Sequence, residues 1–205
     1  MNNFDEIISL GAYCNTSLYL QSINKKKETH VFDWAGVINT STFKKLLKTK
    51  FENFFEHNDF IPFRDGLAFG MFNKANNICY IHDKFDKKHF SETKTKYIRR
   101  AERFLQLMNS GKKILFIRIQ AKQNEQLEKA CEYNDMVELS KYLTDNTNIK
   151  FAILLIQYEL FLSENICDID NKIVRIKYTN TEMNLPLLMS NNKTFIDSSL
   201  DKINI

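Results

Sequence analysis

The segment KILFIRI, residues 113–119, decides the fold class of this 205-residue chain. It is apolar apart from its first residue and Arg118. The segment FAILLI at 151–156 is apolar throughout, and IVRI at 173–176 follows it. Strands without apolar–polar alternation are typical of parallel sheets that are covered by helices on both faces. The intervening pattern predicts a helix over 125–143, so the order of elements indicates an α/β fold.

The first half of the chain predicts further elements around the same sheet. Residues 7–10 form a short apolar run that predicts a buried strand, and Gly11 ends it. A short helix is predicted over 16–22. Two longer helices are predicted over 43–55 and 91–109, where apolar residues recur with a helical period.

A β-hairpin is predicted between these two longer helices. Its strands cover 67–72 and 78–81, and its turn covers 73–77, where two asparagines stand together. We therefore predict a central, mainly parallel sheet with helices on both faces and an inserted β-hairpin near residues 67–82. The length fits a single domain over residues 1–205.

Composition and charge exclude several classes of protein. With 43% hydrophobic and 26% charged residues, the chain has a globular composition. Its net charge is only +4, and its basic clusters at 25–27 and 99–100 are short, so we predict solvated faces rather than a nucleic-acid site. No apolar run is long enough to span a membrane. The four cysteines include no C-x-x-C pair, so we expect no metal site and the reduced thiols of a cytoplasmic protein.

Cys14 is the first candidate for chemistry, because it lies between the predicted strand 7–10 and the predicted helix 16–22. Reactive groups gather beyond the carboxyl ends of parallel strands. A helix N-terminus favours a thiolate over a thiol, and its backbone N–H groups can stabilise an oxyanion. Gly11 would permit the tight turn that this position needs. The alternative is a buried cysteine with a structural role.

A nucleophilic cysteine needs a base, and His82 is the first choice among four histidines. It follows the apolar strand 78–81, and a strand end is where a sheet presents a functional side chain. His30 is a second candidate. The alternative for His82 is a surface position beside a loop.

A third group should orient the imidazole, and Asp33 is the preferred carboxylate. Its neighbours Phe32 and Trp34 are large and apolar, so its side chain should be partly buried and in need of a partner. Asp83 and Asp197 are the alternatives.

Arg118 interrupts an apolar strand, and a buried arginine requires a carboxylate or an anionic ligand. We predict an ion pair with Asp33, with an anionic substrate group as the alternative. The chain contains none of the motifs G-x-G-x-x-G, H-E-x-x-H and G-x-S-x-G, and it has no phosphate-binding P-loop.

Five short motifs follow one another within the first 120 residues. They are ISLG-x-x-C at 8–14, FDW at 32–34, IHD at 81–83, Y-x-RR-x-x-RF at 97–104 and LF-x-R at 115–118. In this order they resemble a family of papain-like cysteine peptidases. That family is similar to a group of capsular-polysaccharide acetyltransferases, which use a papain-like cysteine with a coenzyme A donor.

The resemblance implies that Cys14 is the nucleophile and His82 its base. Asp33 is the predicted third catalytic residue. Gly11 and Trp34 are predicted to contact the substrate, and Arg118 joins them in the alternative in which it binds an anionic substrate group. A papain-like fold would place the cysteine on a helix against an antiparallel sheet, whereas the periodicity after residue 113 favours parallel strands.

The predicted function is that of a cysteine-dependent hydrolase or acyltransferase that acts on a small-molecule or glycan substrate, in surface-glycan biosynthesis. No cofactor is required, although a transferase would use coenzyme A as its acyl carrier. The alternative is a non-catalytic glycan- or nucleotide-binding module on an α/β scaffold.

Overall fold

The computed structural model describes residues 3–12, 14–37, 39–65, 68–86, 88–120, 131–158, 162–179 and 184–203. The strands are β1 (Glu6–Ser9), β2 (Ala35–Val37), β3 (Phe60–Asp65), β4 (Ala68–Asn73), β5 (Ile78–Tyr80), β6 (Lys113–Ile119), β7 (Lys150–Tyr158), β8 (Ile166–Asp168) and β9 (Ile173–Tyr178). The α-helices are α1 (Asn15–Ser22), α2 (Ser41–Lys48), α3 (Phe90–Met108), α4 (Cys131–Asn146), α5 (Leu185–Asn191) and α6 (Lys193–Lys202).

The apolar segments of the sequence form a mainly parallel sheet with the strand order β1-β6-β7-β9-β8. Strands β1, β6, β7 and β9 run parallel, and β8 is an antiparallel edge strand beside β9. The predicted α/β class and its central sheet are therefore confirmed. The strands are apolar on both faces because both faces are buried.

Side chains of the sheet alternate between two cores, each covered by helices. On β7, the first core contains Phe151, Ile153 and Leu155, and the second contains Ala152, Leu154 and Ile156. Helices α2, α3 and α4 contribute to the first core, whereas α1, α5 and α6 contribute to the second. This arrangement confirms the prediction of helices on both faces.

A second sheet is inserted between α1 and α3. It is antiparallel, with the strand order β2-β5-β4-β3. The predicted hairpin is its β4–β5 pair, so the inserted element is confirmed and is larger than a hairpin. Many of the chain's phenylalanines pack between this sheet and α2 and α3.

The predicted helix over 43–55 ends earlier than the apolar period suggests. Helix α2 stops at Lys48, and the chain then turns through left-handed backbone at Lys50, Phe51 and Asn53. The carbonyl of Phe54 accepts hydrogen bonds from two asparagine side chains of the hairpin, at residues 73 and 76. The phenylalanines of this segment are buried although they lie in turns and not in a helix. The hydrogen bonds from the hairpin hold the backbone in these turns.

Further elements differ from the prediction in their bounds or have no predicted counterpart. The helix predicted over 125–143 is α4, which the structure describes from Cys131; residues 125–130 lie outside the described part of the chain. Strand β3 was not predicted, because it contains Pro62. The C-terminal helices α5 and α6 were not predicted either. The side chain of Asn184 caps α5 by accepting a hydrogen bond from Leu187 N–H, at 3.1 Å.

Candidate active site

The chain leaves β1 through a strained turn that lies against the antiparallel sheet. Gly11 and Ala12 both adopt left-handed backbone, with φ of +71° and +74°. Glycine is needed at the first position, because a Cβ there would lie 2.7 Å from the carbonyl oxygen of Ala35. Ala12 is a buried non-glycine residue in the same region, which is the kind of strain that functional sites store.

Cys14 stands at the N-cap of α1, beyond the carboxyl end of β1, as the sequence predicts. Its backbone carbonyl accepts a hydrogen bond from Leu18 N–H at 3.0 Å, which begins the helix. The thiol is partly exposed, and its Sγ lies 3.9 Å from Asn15 Oδ1. The Cys14 side chain does not cap the helix, so it leaves the N–H groups of the first turn to other acceptors.

Two hydroxyl groups of the same turn are buried among the described residues without a hydrogen-bond partner. They belong to Thr16 and Ser17, whose side chains are fully buried. A buried hydroxyl without a partner is costly, so such groups are retained where another requirement favours them. The first turn of α1 therefore contains two interior hydroxyls without a partner, in addition to its uncapped backbone N–H groups.

Trp34 and His82 meet at the end of the antiparallel sheet that faces this turn. They flank the ends of β2 and β5, which pair Ala35 with Tyr80. Their ring centroids are 5.5 Å apart, in an edge-to-face arrangement. Because Gly36 lies against the carbonyl of Ala12, the strand end that carries Trp34 adjoins the turn before Cys14.

No hydrogen bond joins the two predicted reactive side chains, Cys14 and His82, in the described structure. Among the described residues, the hydrogen bond of the Cys14 thiol is to Asn15, and the ring contact of the exposed His82 is to Trp34. Gly11 and Ala12 lie against β2, and the ends of β2 and β5 adjoin each other, so Cys14 and His82 belong to the same part of the molecule. Catalytic hydrogen bonds are often long or poorly aligned before substrate binds, and they tighten in the complex with substrate.

Asp33 is buried, as predicted, but its partners are not the predicted ones. Its Oδ2 accepts the backbone N–H of His30 at 2.7 Å and lies 3.1 Å from Lys26 Nζ. The ammonium group of Lys26 in turn lies 4.7 Å from the centre of the Trp34 ring. The described contacts therefore do not bring Asp33 to His82, because a backbone donor and a buried cation hold its carboxylate.

The two alternative carboxylates are also held by other groups. Asp83 accepts a hydrogen bond from Tyr97 Oη at 2.6 Å and pairs with Lys96. Burial and this carboxylate raise the pKa of Tyr97 well above its ordinary value, so its hydroxyl stays a donor. Asp197 lies on α6 and is 2.5 Å from Lys193 Nζ.

Arg118 is fully buried and forms an ion pair with Glu132, which corrects the predicted pair with Asp33. Its Nε donates to Glu132 Oε1 at 2.6 Å. The other two nitrogens donate to the carbonyls of Leu10, at 3.2 Å, and Val37, at 3.0 Å. Since all three nitrogens have protein acceptors, this placement supports a structural role for Arg118 rather than the predicted contact with substrate.

Arg118 thereby ties the parallel sheet to the antiparallel one immediately beside the turn at Gly11. Leu10 precedes that turn, and Val37 ends β2. We could not predict Glu132 as the partner from sequence, because it is one of 25 acidic residues and nothing in its neighbourhood marks it. Lys26 carries no sequence signal as a partner for Asp33, because it belongs to the basic run 25–27, which predicts a solvated face.

Two features are absent from the described part of the chain, a metal-binding cluster and a membrane-spanning helix. It contains no group of three or more histidine, cysteine or acidic side chains arranged to hold a metal ion. None of its helices is both long and apolar enough to cross a membrane.

Comparison with known proteins agrees with the motifs. Residues 5–160 match the family described as "Putative papain-like cysteine peptidase (DUF1796)". An uncharacterized protein of Acanthamoeba polyphaga mimivirus is 31% identical over 180 residues, which cover 76% of this chain and 79% of that protein. No solved structure matches the chain significantly. The chain therefore belongs to the family that bears the papain-like cysteine peptidase description.

Proposed function

We propose that this protein is a cysteine-dependent acyl-transfer enzyme, with Cys14 as nucleophile and His82 as general base. The observation that carries the proposal is the position of Cys14 at the N-cap of α1, after a strained left-handed turn. A thiol there meets the positive end of a helix and a turn of unused donors. The family to which the chain belongs supports the same chemistry.

In the proposed reaction, His82 takes the thiol proton and the Cys14 sulfur attacks the carbonyl carbon of an amide or ester. The tetrahedral intermediate expels the amine or alcohol, which leaves with the proton from the imidazolium. The products of this step are a thioester on Cys14 and neutral His82. Water then attacks the thioester, with His82 again as base, and releases a carboxylic acid and the free thiol.

The first turn of α1 would stabilise the negative oxygen of each tetrahedral intermediate. Its backbone N–H groups receive no side-chain cap from Cys14, so they remain available as donors to a substrate oxygen. Preorganised donors of this kind contribute about 3–4 kcal/mol each in well-studied acyl-transfer enzymes.

Trp34, rather than Asp33, would orient the base in this proposal. Its ring contacts the imidazole of His82, while Asp33 is engaged by Lys26 and His30. The partly exposed indole would also offer an apolar surface to substrate, whereas Gly11 is buried against the Ala35 carbonyl and would shape the turn rather than contact substrate.

Alkylation by iodoacetamide tests the nucleophile. We expect Cys14 to react faster than Cys167, which is also partly exposed and serves as an internal control. The rate should fall in His82→Ala and remain unchanged in His89→Ala, because His89 pairs with Asp86. Each rate is measured by alkylating the folded protein, digesting it, and quantifying the labelled peptides by mass spectrometry. Equal rates at the two cysteines would contradict the proposal.

Turnover tests the reaction itself. We expect cleavage of fluorogenic peptide amides or nitrophenyl esters to be lost in Cys14→Ser and to fall about 10²–10⁴-fold in His82→Ala. Release of free coenzyme A from acetyl-coenzyme A, dependent on an added sugar, would identify a transferase instead of a hydrolase. If the protein binds a glycan or nucleotide without turning over any of these substrates, and if both variants bind that ligand equally well, the result would indicate the binding-module alternative.

A further inference from the structure

A cavity of about 300 Å³ lies at the end of β1 opposite to Cys14. The first residue of β1, the C-terminal part of α3 and the loop after α1 surround it. Its charged and titratable lining consists of Glu6, Lys27, Glu28, His30, Arg103 and Lys112. The volume is at the lower end of the range for ligand pockets, so it would accept only a small molecule.

His30 gives this cavity a buried polar group that the described structure leaves unsatisfied. Only 5% of the residue is exposed, and its Nδ1 is buried without a hydrogen-bond partner among the described residues. Its ring packs edge-on to Phe104, with centroids 6.2 Å apart. Burial lowers the pKa of His30, so near pH 7 the ring is neutral and one of its nitrogens can accept a hydrogen bond.

The charged side chains of the cavity are held in place by one another. Arg103 Nε lies 2.7 Å from Glu28, and its Nη1 donates to the carbonyl of Thr29 at 2.8 Å. Lys112 Nζ lies 3.1 Å from Glu6. These pairs fix the cations in the wall of the cavity, which reduces the entropy lost when a ligand binds.

The lining carries one more positive charge than negative. Its cations are Lys27, Arg103 and Lys112, and its carboxylates are Glu6 and Glu28. A guanidinium and an ammonium group suit an oxyanion, whereas the carboxylates and the neutral His30 are acceptors that suit hydroxyl groups. The two kinds of group together match a ligand that has both an anionic and a hydroxylated part.

We propose that this cavity binds a small hydroxylated oxyanion, of the class of a phosphorylated polyol, with Arg103 and Lys112 at the anionic group and His30 at a hydroxyl. The site lies at the other end of β1 from Cys14 and does not depend on the function proposed for that residue.

Calorimetric titration with glycerol 3-phosphate tests the site, with inorganic phosphate and glycerol as separate arms. We expect glycerol 3-phosphate to bind at least about tenfold more tightly than either, because only it engages both halves of the cavity. Lys112→Gln should weaken binding about tenfold, whereas Arg99→Gln, on the exposed side of α3, should leave it unchanged. The side chain of Lys112 is half-exposed, so the first variant should fold.

A second readout follows His30 directly. The imidazole proton signals of His30 should shift in the nuclear magnetic resonance spectrum on addition of glycerol 3-phosphate, while those of His89 should not. The proposal is overturned if glycerol 3-phosphate does not bind at 10 mM (roughly the weakest interaction worth detecting). It is also overturned if inorganic phosphate binds equally well, or if Lys112→Gln and Arg99→Gln behave alike.

Discussion

Alanine at Gly11 and alanine at Gly111 make a matched pair that isolates one steric contact. Both glycines adopt the same left-handed backbone, with φ of +71° and +70°. A Cβ at Gly111 would meet no atom within 4 Å. A Cβ at Gly11 would lie 2.7 Å from the Ala35 carbonyl oxygen and 3.0 Å from the Val37 side chain. The difference between the two variants therefore measures how tightly the turn before Cys14 is packed against β2.

The expected magnitudes follow from this comparison. An alanine in left-handed backbone destabilises the folded state by about 1–2 kcal/mol. Replacing glycine also makes the unfolded chain less flexible, which stabilises the folded state by about 0.4–1 kcal/mol. Gly111→Ala should therefore lower the free energy of unfolding by about 1 kcal/mol. Gly11→Ala should cost about 1–3 kcal/mol more, because the obstructing carbonyl belongs to a strand that cannot shift without disturbing its pairing.

Urea denaturation followed by circular dichroism measures both free energies of unfolding. The alkylation rate of Cys14 gives a local readout, which should change in Gly11→Ala and not in Gly111→Ala. If the two variants are equally stable, the turn is free to move away from β2, and the inference that Gly11 holds Cys14 against the antiparallel sheet is wrong.

Two further predictions concern buried groups. Glu132→Gln should leave the Arg118 charge without its counter-ion and lower the free energy of unfolding by about 3–5 kcal/mol, whereas Glu138→Gln at an exposed pair should have a much smaller effect. Urea denaturation compares the two, and similar losses would contradict a buried ion pair. Because burial lowers the pKa of His30, the unfolded chain binds its proton more readily, so stability should fall as the pH drops below about 6.5. His30→Gln should reduce this loss of unfolding free energy between about pH 7 and 5.5. If the pH dependence of the unfolding free energy is the same in the variant, the role assigned to His30 is wrong.

Much of the parallel sheet could be predicted because its strands carry their own signal. Apart from Lys113 and Arg118, residues 113–119 and 151–156 are apolar on both faces. A strand needs this pattern only when both faces of its sheet are covered. The second sheet gave a weaker signal. Its β2 has three residues, and β3 contains Pro62, so neither displays a pattern long enough to interpret. Only the β4–β5 hairpin, with its asparagine turn, was visible from sequence.

In the candidate site, the position of Cys14 could be predicted and the partners of the buried charges could not. A strand, a glycine and a helix start are local features, so they place Cys14 directly. The pairing of Arg118 with Glu132 instead depends on how α4 packs over β6, and the capture of Asp33 depends on the path of the loop that carries Lys26. These choices are made in three dimensions among many residues of the same charge.

The insertion of the second sheet has a consequence for how the protein folds. Neighbouring strands β1 and β6 pair Glu6 with Ile114, whereas β6 and β7 pair Lys113 with Lys150, so the first connection is about three times as long. Loop-closure entropy grows only with the logarithm of length, and the longer connection costs only about 1 kcal/mol more. Contacts this distant in sequence do, however, slow folding. We therefore expect β1 to join the sheet after β6, β7 and β9 have assembled, so that the turn carrying Cys14 takes shape late.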